Sequence, residues 1–231
     1  MKLSTILAEF SSHYGICDTM FALDINNEKM FNSLAKIKKT PSRSNILSSS
    51  LNASQYSIES RKKWSKVDPN LQMSLTNPMH HWDYSSWPEE QHSPQDSLTK
   101  YGYETKVSVE TPCMLNTNWI GRFYLVTKNI DQLENPRFIK KIDSDLRDIH
   151  YMIMTKEMNY LNPFSDYRVI KERDKKILAM ISQGRSREHI ANECYLTPRG
   201  VDYCVQQLKK KLGASNYANL IKIASQNYLI E

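Results

Sequence analysis

The sequence predicts a two-domain protein: an α+β N-terminal domain, built as an α/β/α sandwich around an antiparallel sheet, and an all-α C-terminal domain of four helices. Three patterns predict it: alternating apolar residues before residue 128, a long amphipathic helix after Asn135, and four short helices after residue 169. The chain of 231 residues has room for two such domains. We expect the first domain over 1–162, a linker over 163–169 and the second domain over 170–231.

Alternation is clearest in two segments of the N-terminal half. Val107 and Val109 share one face of the first segment, and the second segment alternates in the same way up to Thr127. A Ser-rich stretch earlier in the chain is expected to be a loop that carries a short strand. The predicted strands are 16–23, 45–50, 103–109 and 118–127, and the predicted helices are 4–11, 54–64 and 93–101. Helices that flank several strands indicate helical layers on a sheet.

A long helix is predicted from Asn135-Pro136 to about Tyr160, because Asn suits the N-cap and Pro the first helical turn. Its apolar residues recur at spacings of three and four, which gives it one apolar face. They are Phe138, Ile142, Leu146, Ile149 and Ile153. Two interpretations stay open: this face covers the sheet, or part of it forms a dimer interface. Asn162-Pro163 breaks the helix.

Four short amphipathic helices are predicted after the linker, and a tight turn joins the second to the third. This arrangement is typical of a helix-turn-helix module. Thr197 and Pro198 give the clearest start signal, because Thr can cap a helix that has Pro at its first position. The other residues predicted to begin or end these helices are Gly184, Ser186, Gly213 and Ser215.

Positive charge is concentrated at the C-terminal end of the chain. The whole chain has a net charge of +6. Residues 165–231 hold twelve Lys and Arg against seven Asp and Glu, so the longer N-terminal part is close to neutral. A compact basic domain behind a near-neutral one favours contact with nucleic acid.

Several classes of protein are disfavoured by the sequence. Four scattered cysteines argue against a zinc ribbon or a disulfide framework, and Cys113 has no evident partner set for a nucleophile. His80, His81, Asp83 and His92 lack a regular metal-ligand spacing. Without a glycine-rich phosphate loop, nothing supports an enzyme or a bound cofactor. No apolar run is long enough to span a membrane and no signal peptide is evident, so we expect a cytoplasmic protein.

The C-terminal pattern resembles the LuxR-type DNA-binding domain over about 50 residues. The shared positions, at the family spacing and without a gap, are Arg173-Asp174-Lys175-Lys176-Ile177-Leu178, Gln183-Gly184, Ile190-Ala191, Leu196-Thr197-Pro198-Arg199-Gly200-Val201 and Lys210-Lys211-Leu212-Gly213. Asp174 stands where the family has Glu, Gly200 where it has Thr, and Cys204 where it has His. The resemblance implies that the third helix enters the major groove of double-stranded DNA.

The resemblance also implies which side chains contact the DNA. The family reads bases from the positions held here by Asp202, Tyr203 and Gln206; Gln can pair with adenine, and Asp can accept from cytosine but repels phosphate. Lys209–Lys211 suit phosphate better than bases, although they are also what a solvated helix end favours. The predicted DNA-binding residues are Thr197, Arg199, Asp202, Tyr203, Gln206, Lys209 and Lys210.

The N-terminal region resembles, in a gapped alignment of low identity, the ligand-binding domain of the receptors for acyl-homoserine lactones. Asp68-Pro69 and the aromatic residues Trp64 and Trp82 carry this resemblance, together with Gly121 and Thr127 in the strand region. It implies that Asp68 accepts a hydrogen bond from an amide N–H of the ligand. The predicted ligand-binding residues are Tyr56, Trp64, Asp68, Trp82 and Thr127.

The family's Trp and Tyr ligand contacts are not kept. Counting back from Asp68 without gaps puts Gln55 and Glu59 at their positions, and a shift of one residue puts Tyr56 and Ser60 there. Lys106 occupies the place of another usual glycine. The domain is therefore expected to bind a different small molecule, to bind an unusual lactone, or to need no ligand. The tryptophans also suit plain core packing, and Asp68 also suits an N-cap before Pro69.

These patterns and resemblances together predict a DNA-binding transcriptional regulator that acts as a homodimer, with a small signal molecule as a candidate ligand. RNA polymerase is a further partner that the resemblance implies. The competing hypothesis is an interaction protein that forms mixed dimers with another regulator of this type and blocks it. It rests on Asp202 and Gly200, which depart from what a DNA-reading helix favours.

Overall fold

The computed structural model describes residues 2–26, 45–64, 67–74, 77–88, 93–128 and 135–230. These residues form two compact units. The first comprises the described residues up to Asp24 and from 45 to 158, and the second comprises those from Asn159 onward, together with Ile25 and Asn26. None of the described helices is both long enough and apolar enough to cross a membrane.

The N-terminal elements alternate between helices and strands. In chain order they are α1 (Leu3–Tyr14), β1 (Asp18–Ile25), β2 (Leu47–Ser48), α2 (Leu51–Trp64), α3 (Pro69–Ser74), β3 (Met79–His81), α4 (Pro94–Lys100), β4 (Thr105–Pro112), β5 (Trp119–Thr127) and α5 (Pro136–Leu161). The strands form one sheet in the order β2-β1-β5-β4-β3. The longest pairing joins β4 to β5 antiparallel, with Val107 opposite Leu125.

Helices cover both faces of this sheet. On one face Met20, Tyr124 and Val126 pack with Tyr56 of α2 and Leu98 of α4. On the other face the ring of Phe21 contacts Phe123 and His150 of α5, at centroid distances of 4.8 and 5.5 Å. A hydrogen bond of 2.6 Å from Tyr14 Oη to Asp145 joins α1 to α5 on that side. The predicted α/β/α sandwich with an antiparallel sheet is therefore confirmed.

The apolar face of α5 packs inside its own domain. Ile142, Leu146 and Ile153 are fully buried, and Ile149 nearly so. These four residues therefore cover the sheet, as the first of the two interpretations expected. Phe138, the first residue of that face, is half-buried and its ring contacts Tyr14 of α1 at a centroid distance of 5.5 Å.

The regular elements of the C-terminal unit from Asn159 onward are all helices in the described residues. Its elements are α6 (Pro163–Asp166), α7 (Glu172–Ser182), α8 (Arg187–Cys194), α9 (Pro198–Leu212) and α10 (Tyr217–Gln226). Ser186 and Thr197 cap α8 and α9 as predicted, by accepting from the N–H groups of His189 and Gly200. The predicted cap of the last helix is wrong by one residue: the side chain of Asn216, not Ser215, accepts from Asn219 N–H at 2.8 Å.

The segment predicted as a linker, 163–169, is folded into the C-terminal unit. Asn162 caps α6 by accepting from Phe164 N–H, and its amide donates to the carbonyl of Asn227 at 2.9 Å. Phe164 is fully buried and Val169 nearly so, in the same core as α7 to α10. The Asn-Pro pair therefore starts a new helix as well as ending α5. The backbone of Glu157 departs from helical angles just before the unit begins.

Candidate DNA-binding face and ligand cavity

The helix α9 has one buried side and one exposed side. Val201, Val205 and Leu208 lie in the core, and Cys204 joins them at 9% exposure. Cys204 is therefore a core residue, which explains structurally why a thiol can stand where the resembling family has His. The opposite side, which is exposed, presents Arg199, Tyr203, Gln206 and Lys210. Tyr203 is 66% exposed, a high fraction for an aromatic residue.

The carboxylate of Asp202 is held by a second helix. Arg187 at the start of α8 approaches it through Nε and Nη1, at 3.2 and 3.3 Å from its two oxygens. This two-point geometry fixes both side chains and offsets the negative charge. Asp202 therefore repels phosphate less than its sequence position suggests. The pair joins residues fifteen positions apart, so no helical spacing could reveal it.

The other predicted DNA-binding residues differ in how they are held. The Oγ1 of Thr197 accepts from Gly200 N–H at 3.0 Å, so this side chain primarily begins α9. Lys210 is exposed and Lys209 half-buried, and neither forms an ion pair with the described part of the chain. Lys211 is different, because its Nζ lies 2.9 Å from Asp174 on α7. This ion pair links α9 to α7, so Lys211 has a structural role, and Asp174 is the acid that pairs with it.

Tyr195 is an exposed residue that sequence reasoning did not single out. It lies in the turn between α8 and α9, in the left-handed region at φ 55°, and it is 97% exposed. A non-glycine residue in this conformation is uncommon. The sequence could have indicated Tyr195 by its position alone, because it lies in the turn of the helix-turn-helix, just before the N-terminus of α9.

A small cavity lies between α2 and the sheet. Its lining residues are Met20, Tyr56, Ser57, Ser60, Arg61, Trp64, Asp68, Trp82, Lys106 and Tyr124. Four of the five predicted ligand-binding residues are thus brought together. The fifth, Thr127, is not: it lies at the end of β5, where it pairs with Thr105 and its carbonyl accepts from Glu104 N–H.

The structure distinguishes the two alignments of α2. Tyr56 and Ser60 line the cavity, whereas Gln55 is exposed. Glu59 points elsewhere, because its carboxylate binds Lys100 of α4 at 2.6 Å and Lys63 at 2.8 Å. The shifted alignment is therefore the one whose side chains face the cavity.

Asp68 both lines the cavity and begins α3. Its Oδ1 accepts from Asn70 N–H at 2.9 Å, the bond expected of a helix cap. Its Oδ2 accepts from the hydroxyl of Tyr84 at 3.0 Å. Both carboxylate oxygens are thus engaged within the protein, and burial raises the pKa of Tyr84, so that this phenol stays neutral. The alternative role of Asp68 as an N-cap is observed.

The two tryptophans also have internal partners. Trp64 Nε1 donates to Ser97 at 2.9 Å and Trp82 Nε1 donates to Ser108 at 3.3 Å. Both indole N–H groups are therefore already bonded within the protein. The space that water can occupy is about 30 Å³, enough for a few water molecules at most. A ligand of ordinary size needs this cavity to open.

Lys106 is the least expected residue of the cavity. It is 7% exposed on β4, and its Nζ lies 3.4 Å from the ring centroid of Trp82 and 4.8 Å from that of Tyr124. Burial lowers the pKa of this amine to about 7, although the nearby charge of Asp68 opposes the shift. In the sequence Lys106 appears only as a departure from the resembling family.

The described residues contain no group of His, Cys, Asp or Glu that could hold a metal ion. His80 instead shares a hydrogen bond of 2.9 Å with Asn70. His92, which the sequence analysis considered with His80, lies outside the described residues.

Comparison with known proteins found two solved structures of SdiA, each 13% identical to this chain. The structure of the Escherichia coli protein matches 99% of this chain and 92% of its own, with a TM-score of 0.50. The structure of SdiA in complex with octanoyl-rac-glycerol matches 100% of this chain and 91% of its own, with a TM-score of 0.47. The first of these likenesses shows a shared fold. No curated protein sequence matches the chain. The family model of bacterial regulatory proteins, luxR family, matches residues 169–224, and this part of the chain is therefore a luxR-family domain.

Proposed function

We propose that the protein is a transcriptional regulator that binds double-stranded DNA as a dimer through α9 and responds to a small molecule in its N-terminal domain. The luxR-family match of residues 169–224 supports the regulatory role. The observation that carries the DNA-binding proposal is the exposed side of α9, where Arg199, Tyr203, Gln206 and Lys210 stand on a helix of sufficient length for the major groove.

The predicted DNA-binding residues divide between reading bases and contacting phosphates. Gln206 offers an amide that can donate to and accept from adenine, so it reads sequence. Arg199, Lys209 and Lys210 supply cations for phosphates and position the helix. Thr197 acts indirectly, since its cap leaves the N-terminus of α9 well formed and favourable for a phosphate.

Dimerisation is proposed from the geometry of DNA rather than from an observed interface. Two copies of a reading helix, one helical turn of DNA apart, recognise a two-fold symmetric site with more specificity than one copy. Exposed apolar residues of the N-terminal domain suit such an interface: Met114 is 82% and Tyr151 51% exposed, and both line one pocket beside α5.

The DNA-binding proposal is tested by substitution on α9. A preferred duplex is selected from a random library, and the dissociation constant is measured for it and for an unrelated duplex at several salt concentrations. Lys210→Ala should weaken binding to both duplexes and reduce the slope of log affinity against log salt by about 1. Gln206→Ala should cost about 1–3 kcal/mol on the preferred duplex and little on the other.

Lys222→Ala is the matched control, because Lys222 is an exposed lysine of the same domain on α10. It should leave both affinities and the salt slope unchanged. If Lys210→Ala and Gln206→Ala also bind like the parent protein, α9 is not the reading helix.

The second candidate function is the formation of mixed dimers that block another regulator. Gly200 and Asp202 favour it, since neither promotes phosphate binding, but the Arg187 ion pair offsets the charge of Asp202. A DNA site protected from nuclease by this protein alone would exclude it. The same measurement supports the first function.

A further inference from the structure

We infer that the cavity between α2 and the sheet binds a small organic acid, whose carboxylate accepts hydrogen bonds from Lys106 and whose apolar body lies among Tyr56, Trp82 and Tyr124. This inference rests on the proposed function, since it names the chemical class of the signal molecule. It begins from Lys106, one of the residues that line the cavity.

The amine of Lys106 lacks an acceptor. Its side chain is 7% exposed, and the described residues provide aromatic faces but no hydrogen-bond acceptor for Nζ. A lysine carries three donors when charged, and cation–π contacts satisfy none of them as an oxygen would. A charged amine that finds no oxygen acceptor in the protein is costly to keep ionised. A ligand oxygen in the cavity would remove that cost.

The charges around the cavity favour an anionic ligand over a neutral one. Arg61 and Lys106 line it from two different elements, α2 and β4, against one carboxylate, Asp68. Asp68 already accepts from Asn70 and Tyr84. Burial raises the pKa of Tyr56, so its hydroxyl stays neutral and adds no negative charge. A ligand carboxylate would therefore supply a counter-charge and a hydrogen-bond acceptor for Lys106.

The remaining walls define the body of the ligand. Tyr56, Trp82 and Tyr124 are buried and present ring faces, while Ser60, Arg61 and Trp64 are half-buried and form the rim. The space of about 30 Å³ disfavours a long chain. A compact apolar or aromatic acid needs the smallest displacement of the rim residues.

The inference has a consequence for pH. Bound carboxylate favours the ammonium form of Lys106, whereas the empty cavity holds the pKa of this group near 7 through burial. Organic acids are fully ionised above pH 6, so only Lys106 gains a proton on binding. The groups that face it are Asp68, Arg61, Tyr56, Tyr124 and, through its charge interaction, His80. Affinity should fall as pH rises above 7, by up to about tenfold per unit.

The test compares acids with amides of the same shape. Benzoate, phenylacetate and hexanoate, and the three corresponding amides, are added at millimolar concentration to the full-length protein. Binding is measured by calorimetry and by the midpoint of thermal unfolding. At least one acid should raise the midpoint and bind about ten- to hundredfold more tightly than its amide at pH 7, and its affinity should weaken at pH 9.

Lys106→Met keeps the length of the side chain and removes the amine, and should abolish the preference for the acid. Lys63→Met, an exposed lysine of α2, is the control and should bind like the parent. Amides that bind as well as acids, or acids that bind Lys106→Met undiminished, would overturn the inference. The comparison of acid with amide is made on the parent protein, so it holds even if Lys106→Met folds poorly.

A parallel series of acyl-homoserine lactones separates this inference from the proposed function. A rise in the midpoint with lactones and none with acids overturns the acid assignment and leaves small-molecule sensing in place. No rise with either class overturns both. The DNA-binding part is decided independently by the α9 variants.

Discussion

His150 shows how a single buried residue can carry a pH dependence. It lies on α5 against β5, where a Cβ added at Gly121 would come within 2.0 Å of its Nδ1. Glycine at 121 therefore makes room for the imidazole. Neither ring nitrogen has a hydrogen-bond partner among the described residues, and burial lowers the pKa of His150 to about 4. The ring is thus neutral in the folded protein at physiological pH.

The first prediction at this scale is a loss of stability in acid that belongs to His150. Between about pH 6.5 and 4 the unfolded chain binds a proton at His150 that the folded chain does not, so the free energy of unfolding decreases as pH falls. From pH 7 to 5.5 this amounts to about 1 kcal/mol. Urea denaturation at both pH values measures the free energy of unfolding. Between pH 7 and 5.5 this free energy should fall by about 1 kcal/mol less in His150→Leu than in the parent.

His80 remains in both proteins, and its own contribution cancels in the comparison. Burial also lowers the pKa of His80, so both proteins are expected to weaken somewhat in acid. An equal pH dependence of parent and variant would mean that His150 takes up a proton as readily in the folded chain as in the unfolded chain.

At the scale of elements, three strands are joined by a buried group of charges. Arg122 of β5 is 1% exposed; its Nε lies 3.2 Å from Asp24 of β1 and its Nη2 lies 2.6 Å from Glu110 of β4. Glu110 stands directly opposite Arg122 in the antiparallel register. The cation therefore links the centre of the sheet to both neighbouring strands.

Removing this cation should destabilise the sheet strongly. Arg122→Ala leaves the buried carboxylate of Asp24 without its guanidinium, and the free energy of unfolding should fall by about 3–5 kcal/mol. Arg147→Ala is the matched control, because Arg147 pairs with Asp143 at 3.0 Å on the exposed side of α5. It should change stability by no more than about 0.5 kcal/mol. Chemical denaturation of the two variants measures the difference, and equal losses would contradict a structural role of the buried group.

The elements that the sequence predicted are those with strong local signals. Alternation predicted strands over 103–109 and 118–127, which overlap β4 and β5, and Thr197-Pro198 with Gly213 predicted both ends of α9. The missed elements are short: α3 has six residues, α6 four and β3 three, which are too few for a period to emerge. The hidden contacts are tertiary. Neither the burial of Lys106 nor the pairing of Arg187 with Asp202 follows from spacing, because each depends on how two elements pack.

At the scale of the whole molecule, the boundary between the two units is set by packing rather than by the break in the helix pattern. The Asn-Pro pair suggests a linker, but Phe164 and Val169 beyond it are buried with α7 to α10. Asn162 is 1% exposed and binds the carbonyls of Asn227 and Tyr228 at the other end of the unit. The N-terminal and C-terminal ends of this unit therefore stabilise each other.

This packing predicts that two fragments differ in stability. A fragment of residues 159–231 keeps Asn162 and Phe164 and should unfold cooperatively, whereas a fragment of residues 169–231 loses both. Loss of a fully buried Phe alone costs about 3–5 kcal/mol, so the shorter fragment should melt at a clearly lower temperature by far-UV circular dichroism. Phe164→Ala in the longer fragment removes only this side chain, and it should lower the melting temperature by most of the difference between the two fragments. If the two fragments melt alike, the residues before 169 act as part of the linker predicted over 163–169, and the stability of the luxR-family domain comes from α7 to α10 without them.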